Sequence, residues 1–315
     1  MSSPRVSVIV PLFNGRELVR DCHDALSPVL DRLEGGAEVI YVDDGSVDDT
    51  IDVLRRLQAT DPRVRIVELA ANFGQHAAFT AGFAHARGRY LVTLDADLQC
   101  DPADIPRLIE PLTRGYDLVS GVRIHRQDPG ARRLFSRVTT SIVSRLAGVE
   151  LRDIGCPLNA FTEDVARSLA PFGELRRFLK PIAVRVARRV TEVEVQHRPR
   201  PERQGSSYSA TGLVRLFMDF FVNAIGDVFA WVFVIASALA ALLFVGTVTL
   251  VLIGSLPGVS PALVAFGVWM FLLTIQATLL ALFGLAGDYI QRIYRQSSGR
   301  PFYLVRRVHD DGAAP

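Results

Sequence analysis

The stretch Tyr90-Leu91-Val92-Thr93-Leu94-Asp95-Ala96-Asp97-Leu98-Gln99 is a short apolar run that ends in two carboxylates and an amide. A short apolar run with β-branched residues is typical of a buried strand. Carboxylate and amide oxygens suit Mg²⁺ or Mn²⁺, which such sites hold with few protein ligands and the substrate's phosphates. We therefore predict a divalent-metal site formed by Asp95, Asp97 and Gln99. The alternative is a pair of helix-capping aspartates before Pro102.

Strand-like and helix-like patterns alternate on both sides of this stretch. The predicted strands are Val6–Pro11, Glu38–Asp43, Val64–Glu68, Tyr90–Asp95 and Asp117–Val122. The predicted helices between them are Glu17–Leu33, Asp49–Ala59, Gln75–Arg87 and Pro102–Arg114. This alternation indicates an α/β fold, Rossmann-like, with a mainly parallel sheet covered on both faces.

Polar residues follow several predicted strands, where sheets of this kind bind ligands. Asn14 follows the first strand and Asp43-Asp44-Gly45-Ser46 follows the second. The carboxylates of Asp43 and Asp44 can accept hydrogen bonds from a base N–H or ribose hydroxyls, and Gly45 lets the backbone pass close to a ligand. Alone, this motif is equally typical of a turn and helix start. No G-x-G-x-x-G follows the first strand, which argues against a dinucleotide cofactor.

Charge and cysteine content exclude other classes. The formal net charge of +2 is too small to indicate a nucleic-acid partner. Cys22, Cys100 and Cys156 lie far apart without a C-x-x-C pair, which argues against a zinc site or a disulfide framework and suits a reducing compartment.

The segment 228–287 contains no charged residue and no histidine. It is long enough for two spans of about 20–25 residues each, and Gly254–Gly258 interrupts it, so we predict a two-helix transmembrane hairpin over 228–290. The arginines that follow are Arg292, Arg295, Arg300, Arg306 and Arg307. The positive-inside rule then places the C-terminus, and after two crossings the N-terminal domain, in the cytoplasm. A buried helical pair in a soluble protein is the alternative.

Two further stretches have a helical apolar periodicity. Phe135–Leu146 carries arginines opposite its apolar face, and Leu213–Ala224 carries three phenylalanines just before the long apolar segment. Both are predicted to be amphipathic interfacial helices, although either could instead pack on its own domain core. The predicted domains are thus 1–210, a catalytic domain; 211–227, a juxtamembrane helix; 228–290, two spans; and 291–315, a cytoplasmic tail.

Taken together, five motifs resemble the inverting GT-A glycosyltransferases of family 2. They are Val8-Ile9-Val10-Pro11-x-Phe13-Asn14, Val42-Asp43-Asp44-Gly45-Ser46, Asn72-Phe73-Gly74-Gln75-His76, Leu94-Asp95-Ala96-Asp97-Leu98-Gln99 and Asp153-x-Gly155-Cys156. The resemblance covers nearly the whole chain. It is greatest to the branch that glycosylates polyprenyl phosphates, which includes dolichol-phosphate mannose synthases, bactoprenol glucosyltransferases and undecaprenyl-phosphate 4-deoxy-4-formamido-L-arabinose transferases.

This resemblance implies transfer of a sugar from a nucleotide sugar, UDP-linked, to undecaprenyl phosphate at the cytoplasmic face of the inner membrane, by a homo-oligomer such as a tetramer. It implies that Asp97, Asp153 and Arg123 act at the reacting centre. The implied donor-binding residues are Pro11, Phe13, Asn14, Asp43, Asp44, Gln75, Asp95 and Ala96. The implied acceptor-phosphate residues are Arg126, Arg133, Arg137, Arg203 and Ser207.

Three positions depart from the pattern of those relatives. Gly15 stands where many have glutamate, and Asn159 stands where the close ones have arginine. The loop motif Arg203–Tyr208 is one residue short and lacks a lysine. A non-catalytic module that recruits a partner to the membrane is therefore one alternative. A processive polysaccharide synthase is another, although Trp231 and Trp269 lie inside the predicted hairpin rather than in a Q-x-x-R-W motif.

Overall fold

The computed structural model describes residues 4–124, 151–169, 179–198, 238, 241–249, 252–253, 260–297 and 301–310. The chain divides into two compact units, one of residues 1–212 with 301–315 and one of residues 213–300. Each unit is described by itself.

The first unit is built from alternating strands and helices. Its elements are β1 (Val6–Leu12), α1 (Arg16–Leu30), β2 (Ala37–Asp43), α2 (Thr50–Gln58), β3 (Val64–Leu69), α3 (Gln75–His85), β4 (Tyr90–Thr93), a 3₁₀ turn (Pro102–Asp104), α4 (Ile105–Thr113), β5 (Leu118–Arg123), β6 (Asn159–Thr162), α5 (Glu163–Ser168), α6 (Leu179–Val186), β7 (Val190–Val195) and β8 (Val305–His309). All the strands and helices predicted over residues 6–122 are present, with small shifts of their ends.

The strands form one mixed sheet in the order β7-β5-β6-β4-β1-β2-β3-β8. Only β6 and β8 run against the others. Helices α1, α2 and α4 supply the buried apolar residues on one face, and α3, α5 and α6 supply those on the other. The strands are apolar on both sides because both faces are covered. The predicted α/β fold with a mainly parallel sheet is therefore confirmed.

Strand β4 ends earlier than predicted. Strand β4 stops at Thr93, where its pairing with β6 ends opposite Asn159. The neighbouring Pro157 has no N–H to extend the ladder, and its carbonyl instead accepts a hydrogen bond from Thr93 Oγ1 at 2.7 Å. As a result, Asp95 and Asp97 lie on a loop beyond the strand rather than within it.

A strand near the C-terminus completes the sheet and was not predicted. Strand β8 pairs antiparallel with β3, with Val67 opposite Val308. Glu68 accepts hydrogen bonds from Arg306 at 3.2 Å and lies 3.3 Å from His309 Nε2. The predicted tail 291–315 thus contributes a structural edge strand to the first unit.

The second unit contains α7 (Pro261–Ser297). Within the described residues, Val264–Gly284 is the one helical segment long and apolar enough to cross a membrane, with a mean hydropathy of 2.0. Residues 241–249 are also helical. The second span of the predicted hairpin is consistent with α7, whereas the hairpin itself is not confirmed. The predicted interfacial helices 135–146 and 213–224 lie outside the described residues.

Candidate active site

The end of β1 is fixed to the loop that follows β2. Asn14 has a left-handed φ of 48°, its N–H donates to Ser46 Oγ at 2.9 Å, and its Oδ1 accepts from Val47 N at 2.9 Å. The predicted donor residue Asn14 therefore holds two loops together. Phe13 beside it is 49% exposed, which leaves an aromatic ring at the carboxyl edge of the sheet.

The predicted donor residue Pro11 lies in β1 opposite Val42 of β2. Its missing N–H is tolerated in a central strand because the pairing of β1 with β4 ends at Ile9 opposite Thr93. Pro11 is thus compatible with the sheet at its carboxyl end, next to Phe13.

Asp43 closes β2 with a buried carboxylate. Its Oδ2 accepts from Ser46 N at 3.3 Å, and its Oδ1 has no hydrogen-bond partner in the described part of the chain. Burial raises the pKa of Asp43, and the Ser46 hydrogen bonds partly oppose that shift. Because an unpaired buried acceptor is costly, this oxygen is suited to a ligand N–H or hydroxyl.

Asp44 has a different role from its neighbour. Its two carboxylate oxygens accept from the backbone N–H groups of Phe73 at 2.7 Å and Gly74 at 2.8 Å. Burial raises the pKa of Asp44, while these two hydrogen bonds lower it. Asp44 therefore holds the loop before α3, the helix that starts at Gln75. In this structure its contacts are with the protein backbone.

Gly45 allows these two loops to approach each other. Its φ is +70°, and a Cβ at this position would lie 2.3 Å from the carbonyl carbon of Ala71. A side chain would therefore incur both a backbone cost of about 1–2 kcal/mol and a clash with backbone that cannot move alone.

We expect Gly45→Ala to displace the Asp43 loop, to weaken donor binding by about tenfold or more, and to lower the melting temperature. Gly36→Ala is the matched control, because Gly36 has a φ of +81° but nothing within 4 Å of the added Cβ. Calorimetric titration with the nucleoside diphosphate and thermal unfolding measure the two effects. Equal donor affinity in both variants would show that the clash at Ala71 does not reach the site.

The predicted metal residues lie on the loop after β4. The Gln75 side-chain amide at the start of α3 donates to Asp95 Oδ1 at 2.5 Å, and Gln99 N donates to Asp97 Oδ1 at 3.2 Å. Ala96 between the aspartates is buried, and Leu98 has a left-handed φ of 54°. The loop therefore turns sharply beyond the carboxyl end of β4, and Asp95 lies next to Gln75.

This donor set fits a hard divalent cation of the Mg²⁺ type. Among the residues that the structure describes, no three His, Cys, Asp or Glu side chains form a metal-binding group. Mg²⁺ and Mn²⁺ do not require one, since Mg²⁺ is usually held by one or two carboxylates with water and substrate phosphates. Asp95, Asp97 and the Gln99 amide could supply the protein's share.

Arg123 and Asp153 form a buried ion pair. Arg123 Nε lies 2.7 Å from Asp153 Oδ2 and its Nη2 lies 2.9 Å from Oδ1, so the contact is bidentate. Only 13% of the Arg123 side chain and 3% of the Asp153 side chain are exposed. Burial lowers the pKa of Arg123, but the Asp153 carboxylate outweighs it, and the net shift is upward. Two of the three residues predicted at the reacting centre, Arg123 and Asp153, therefore form one unit.

The structure brings most of the predicted donor and metal residues to one edge of the sheet. The predicted acceptor-phosphate residues lie outside the described residues: Arg126, Arg133, Arg137, Arg203 and Ser207. Their role stays a prediction.

Sequence analysis missed two charged residues at this edge, Lys180 and Glu192. Both contact the loop that carries Asp153. A lysine on a short helix and a glutamate on a strand with alternating polar residues look like exposed surface positions. Nothing in the sequence distinguishes them from such positions.

The comparison with protein families agrees with this geometry. The family model described as "Glycosyl transferase family 2" matches residues 7–166. This match contains β1 to β6 and the loops of Asp43, Asp95 and Asp153. The chain belongs to glycosyl transferase family 2. It is therefore a glycosyltransferase.

Curated relatives extend the similarity over nearly the full length. An undecaprenyl-phosphate 4-deoxy-4-formamido-L-arabinose transferase from Edwardsiella ictaluri (strain 93-146) is 34% identical over 307 residues, covering 96% of this chain and 94% of that protein. A protein of the same name from Sodalis glossinidius (strain morsitans) is 34% identical over 312 residues, covering 98% of this chain and 95% of that protein.

Solved structures share the fold. Glucosyl-3-phosphoglycerate synthase from Mycobacterium tuberculosis in complex with phosphoglyceric acid has a TM-score of 0.52 and 20% identity, covering 71% of this chain and 80% of that chain. The same enzyme in complex with Mn²⁺, UDP and glucosyl-3-phosphoglycerate has a TM-score of 0.51 with the same identity and coverage. At this identity the likeness shows the fold alone.

Proposed function

We propose that this glycosyltransferase transfers a sugar from a UDP-sugar to undecaprenyl phosphate with inversion, at the cytoplasmic face of the inner membrane, for cell-envelope glycosylation. The observation that carries the proposal is the 34% identity, over 96% of the chain, to a protein named as an undecaprenyl-phosphate sugar transferase. The geometry at the carboxyl edge of the sheet supports each step.

The donor nucleoside is proposed to bind between Phe13 and Asp43. The exposed ring of Phe13 gives a surface on which a base can stack. The unpaired Oδ1 of Asp43 can accept the N–H that uracil offers on its pairing edge. Asp44 acts indirectly here, because its hydrogen bonds to Phe73 and Gly74 hold the neighbouring wall of this pocket.

The diphosphate is proposed to bind at Asp95, Asp97 and Gln99 together with Mg²⁺ or Mn²⁺. When bound, such a cation neutralises charge on the leaving diphosphate as a Lewis acid. The chain's own contribution is to orient the two carboxylates through the hydrogen bonds from Gln75 and from the Gln99 N–H.

The transfer itself needs orientation more than a strong base. The acceptor phosphate is already anionic, so its oxygen can attack the anomeric carbon directly. The bond from that carbon to the diphosphate oxygen breaks, and its electron pair leaves with the nucleoside diphosphate. Attack from the opposite side inverts the anomeric centre. The paired Arg123 and Asp153 would supply fixed charge beside this step.

The membrane anchor is proposed to be a helical hairpin. Strand β8 lies in the same sheet as β3, so any segment that crosses the membrane between residues 198 and 301 must cross an even number of times. Since α7 can provide one crossing, this supports a second crossing before residue 260. The homo-oligomer predicted from the resemblance stays a prediction.

A labelling experiment tests this topology. Ser260 and Leu304 are exposed, whereas the native Cys22, Cys100 and Cys156 are buried. We expect Ser260→Cys to react with a membrane-impermeant maleimide in intact spheroplasts, and Leu304→Cys to react only after permeabilisation. Labelling of both variants from the same side would rule out the hairpin.

A defined acceptor series tests the function. The full-length protein in detergent is supplied with UDP-sugars, Mn²⁺ and either undecaprenyl phosphate or undecaprenol, which is the same lipid without the phosphate. We expect UDP release matched by a glycolipid only with the phosphate. Equal transfer to undecaprenol would overturn the acceptor assignment. No transfer from any nucleotide sugar would favour the recruitment alternative.

A further inference from the structure

Lys180 is buried beneath the loop that carries Asp153. Only 6% of the residue is exposed, and its Nζ donates a hydrogen bond to the backbone carbonyl of Asp153 at 2.5 Å. A buried ammonium group is costly unless it is paired and hydrogen-bonded. Packing alone therefore does not explain why a lysine rather than an apolar residue occupies this position.

Three charged groups surround the Lys180 ammonium. Burial lowers the pKa of Lys180 below its usual value; Cys156 and the carboxylates of Asp153 and Glu192 oppose this shift, and Arg123 adds to it. Glu192 belongs to β7, and its Oε1 accepts a hydrogen bond from Arg152 N at 2.9 Å. The same Oε1 lies 3.5 Å from Asp153 N. Lys180 thus donates to the backbone carbonyl of Asp153, and Glu192 accepts from backbone N–H groups of the same short segment.

The rest of this loop has hydrogen bonds of its own. The later part of the loop is held by hydrogen bonds to the Pro157 carbonyl from Thr93 and to the Leu158 carbonyl from Gly121 N. Around Asp153, the backbone is contacted by Lys180 and Glu192, and Gly155 N donates to Asp153 Oδ1 at 3.1 Å. The carboxylate of Asp153 forms a bidentate ion pair with Arg123, and the geometry of such a pair depends on the relative orientation of the two groups.

We infer that Lys180 is a positioning residue for sugar transfer: with Glu192, it clamps the backbone at Asp153 and so sets the geometry of the Arg123–Asp153 pair. This inference rests on the proposed function, in which that pair lies beside the reacting centre. The clamp does not touch the donor pocket at Phe13 and Asp43. It should therefore affect the rate of transfer more than donor binding.

The test compares the effect of each variant on kcat with its effect on donor affinity. Lys180→Met keeps an unbranched apolar side chain that reaches as far as Cε and removes only the ammonium group. We expect kcat to fall about ten- to a hundredfold, as for other residues that orient a reacting group, while UDP binding measured by calorimetry changes less than about threefold. Arg185→Met is the matched control, because Arg185 is an exposed cation on the same helix α6, and its kcat should equal that of the parent protein.

Two further variants keep the inference testable if Lys180→Met does not fold. Lys180→Arg retains a cation and should recover part of kcat, and Glu192→Gln should lower kcat without loss of UDP binding. If Lys180→Met folds and its kcat is unchanged, the inference is overturned. If Lys180→Met does not fold, an unchanged kcat in Glu192→Gln overturns it instead. A parallel loss of kcat and UDP binding would also overturn it. Failure of the proposed function is separate, because the parent protein would then not glycosylate undecaprenyl phosphate at all.

Discussion

Asp97→Ala is expected to lower kcat/KM by roughly a hundred- to a thousandfold, the scale observed when one stabilising group is removed from a polar active site. Asp97 lies with Asp95 on the loop beyond β4, and its Oδ1 accepts from Gln99 N at 3.2 Å. The substitution removes one of the two carboxylates proposed to hold Mg²⁺ or Mn²⁺, together with the acceptor of the Gln99 N–H in the turn at Leu98. Binding of Mn²⁺ in the presence of UDP, followed by electron paramagnetic resonance, should weaken in parallel with activity.

Asp101→Asn is the matched control for this prediction. Asp101 lies on the same loop, but its carboxylate accepts from Ala103 N at 3.0 Å and caps the turn Pro102–Asp104. Asparagine caps helices about as well as aspartate, so activity should stay near that of the parent protein. Full activity of Asp97→Ala in excess EDTA would contradict the metal site.

The sheet and its carboxyl edge could be predicted from local sequence. Apolar strands such as Val39–Val42 and amphipathic helices such as Ile105–Leu112 carry their periodicity within a few residues. The predicted site motifs directly follow the strands. A parallel sheet places the carboxyl ends of its strands at one edge, so these motifs are expected to lie there together. This is why the sequence alone places Asp43, Asp95 and Asp97 at or beyond strand ends.

The partners of these residues could not be predicted, because they depend on contacts between distant segments. The sequence assigns Asp43 and Asp44 the same role, yet Asp44 reaches Phe73 and Gly74 while Asp43 keeps an unpaired oxygen. Arg123 and Asp153 were both predicted, but not as a pair.

Strand β8 was missed for a different reason. Its sequence Val305-Arg306-Arg307-Val308-His309 lacks the strict apolar–polar alternation of a half-buried strand. Its two arginines also fit the positive-inside rule, which explains them as charges on a cytoplasmic tail without any secondary structure. An edge strand is half exposed, and charged residues are common there.

The buried pair of Arg123 and Asp153 leads to the largest predicted effect on stability. Asp153→Asn keeps the size of the side chain but removes its charge, which leaves a largely buried guanidinium without its carboxylate. Breaking a buried ion pair by removing one partner costs about 3–5 kcal/mol. For a domain of this size, we therefore expect the melting temperature to fall by roughly 6–20 °C, at about 2–4 °C per kcal/mol.

A double-mutant cycle separates the pair from its surroundings. Arg123→Gln leaves the Asp153 carboxylate buried but still within the electrostatic influence of the Lys180 ammonium, so this variant should be destabilised less than Asp153→Asn. In the double variant neither charge is left without its partner, and its loss should be smaller than the sum of the two single losses by roughly 1–3 kcal/mol. We expect activity to be lost in all three variants, because the Arg123–Asp153 pair is proposed to supply fixed charge beside the sugar. Simple additivity of the two stability losses would show that Arg123 and Asp153 act independently.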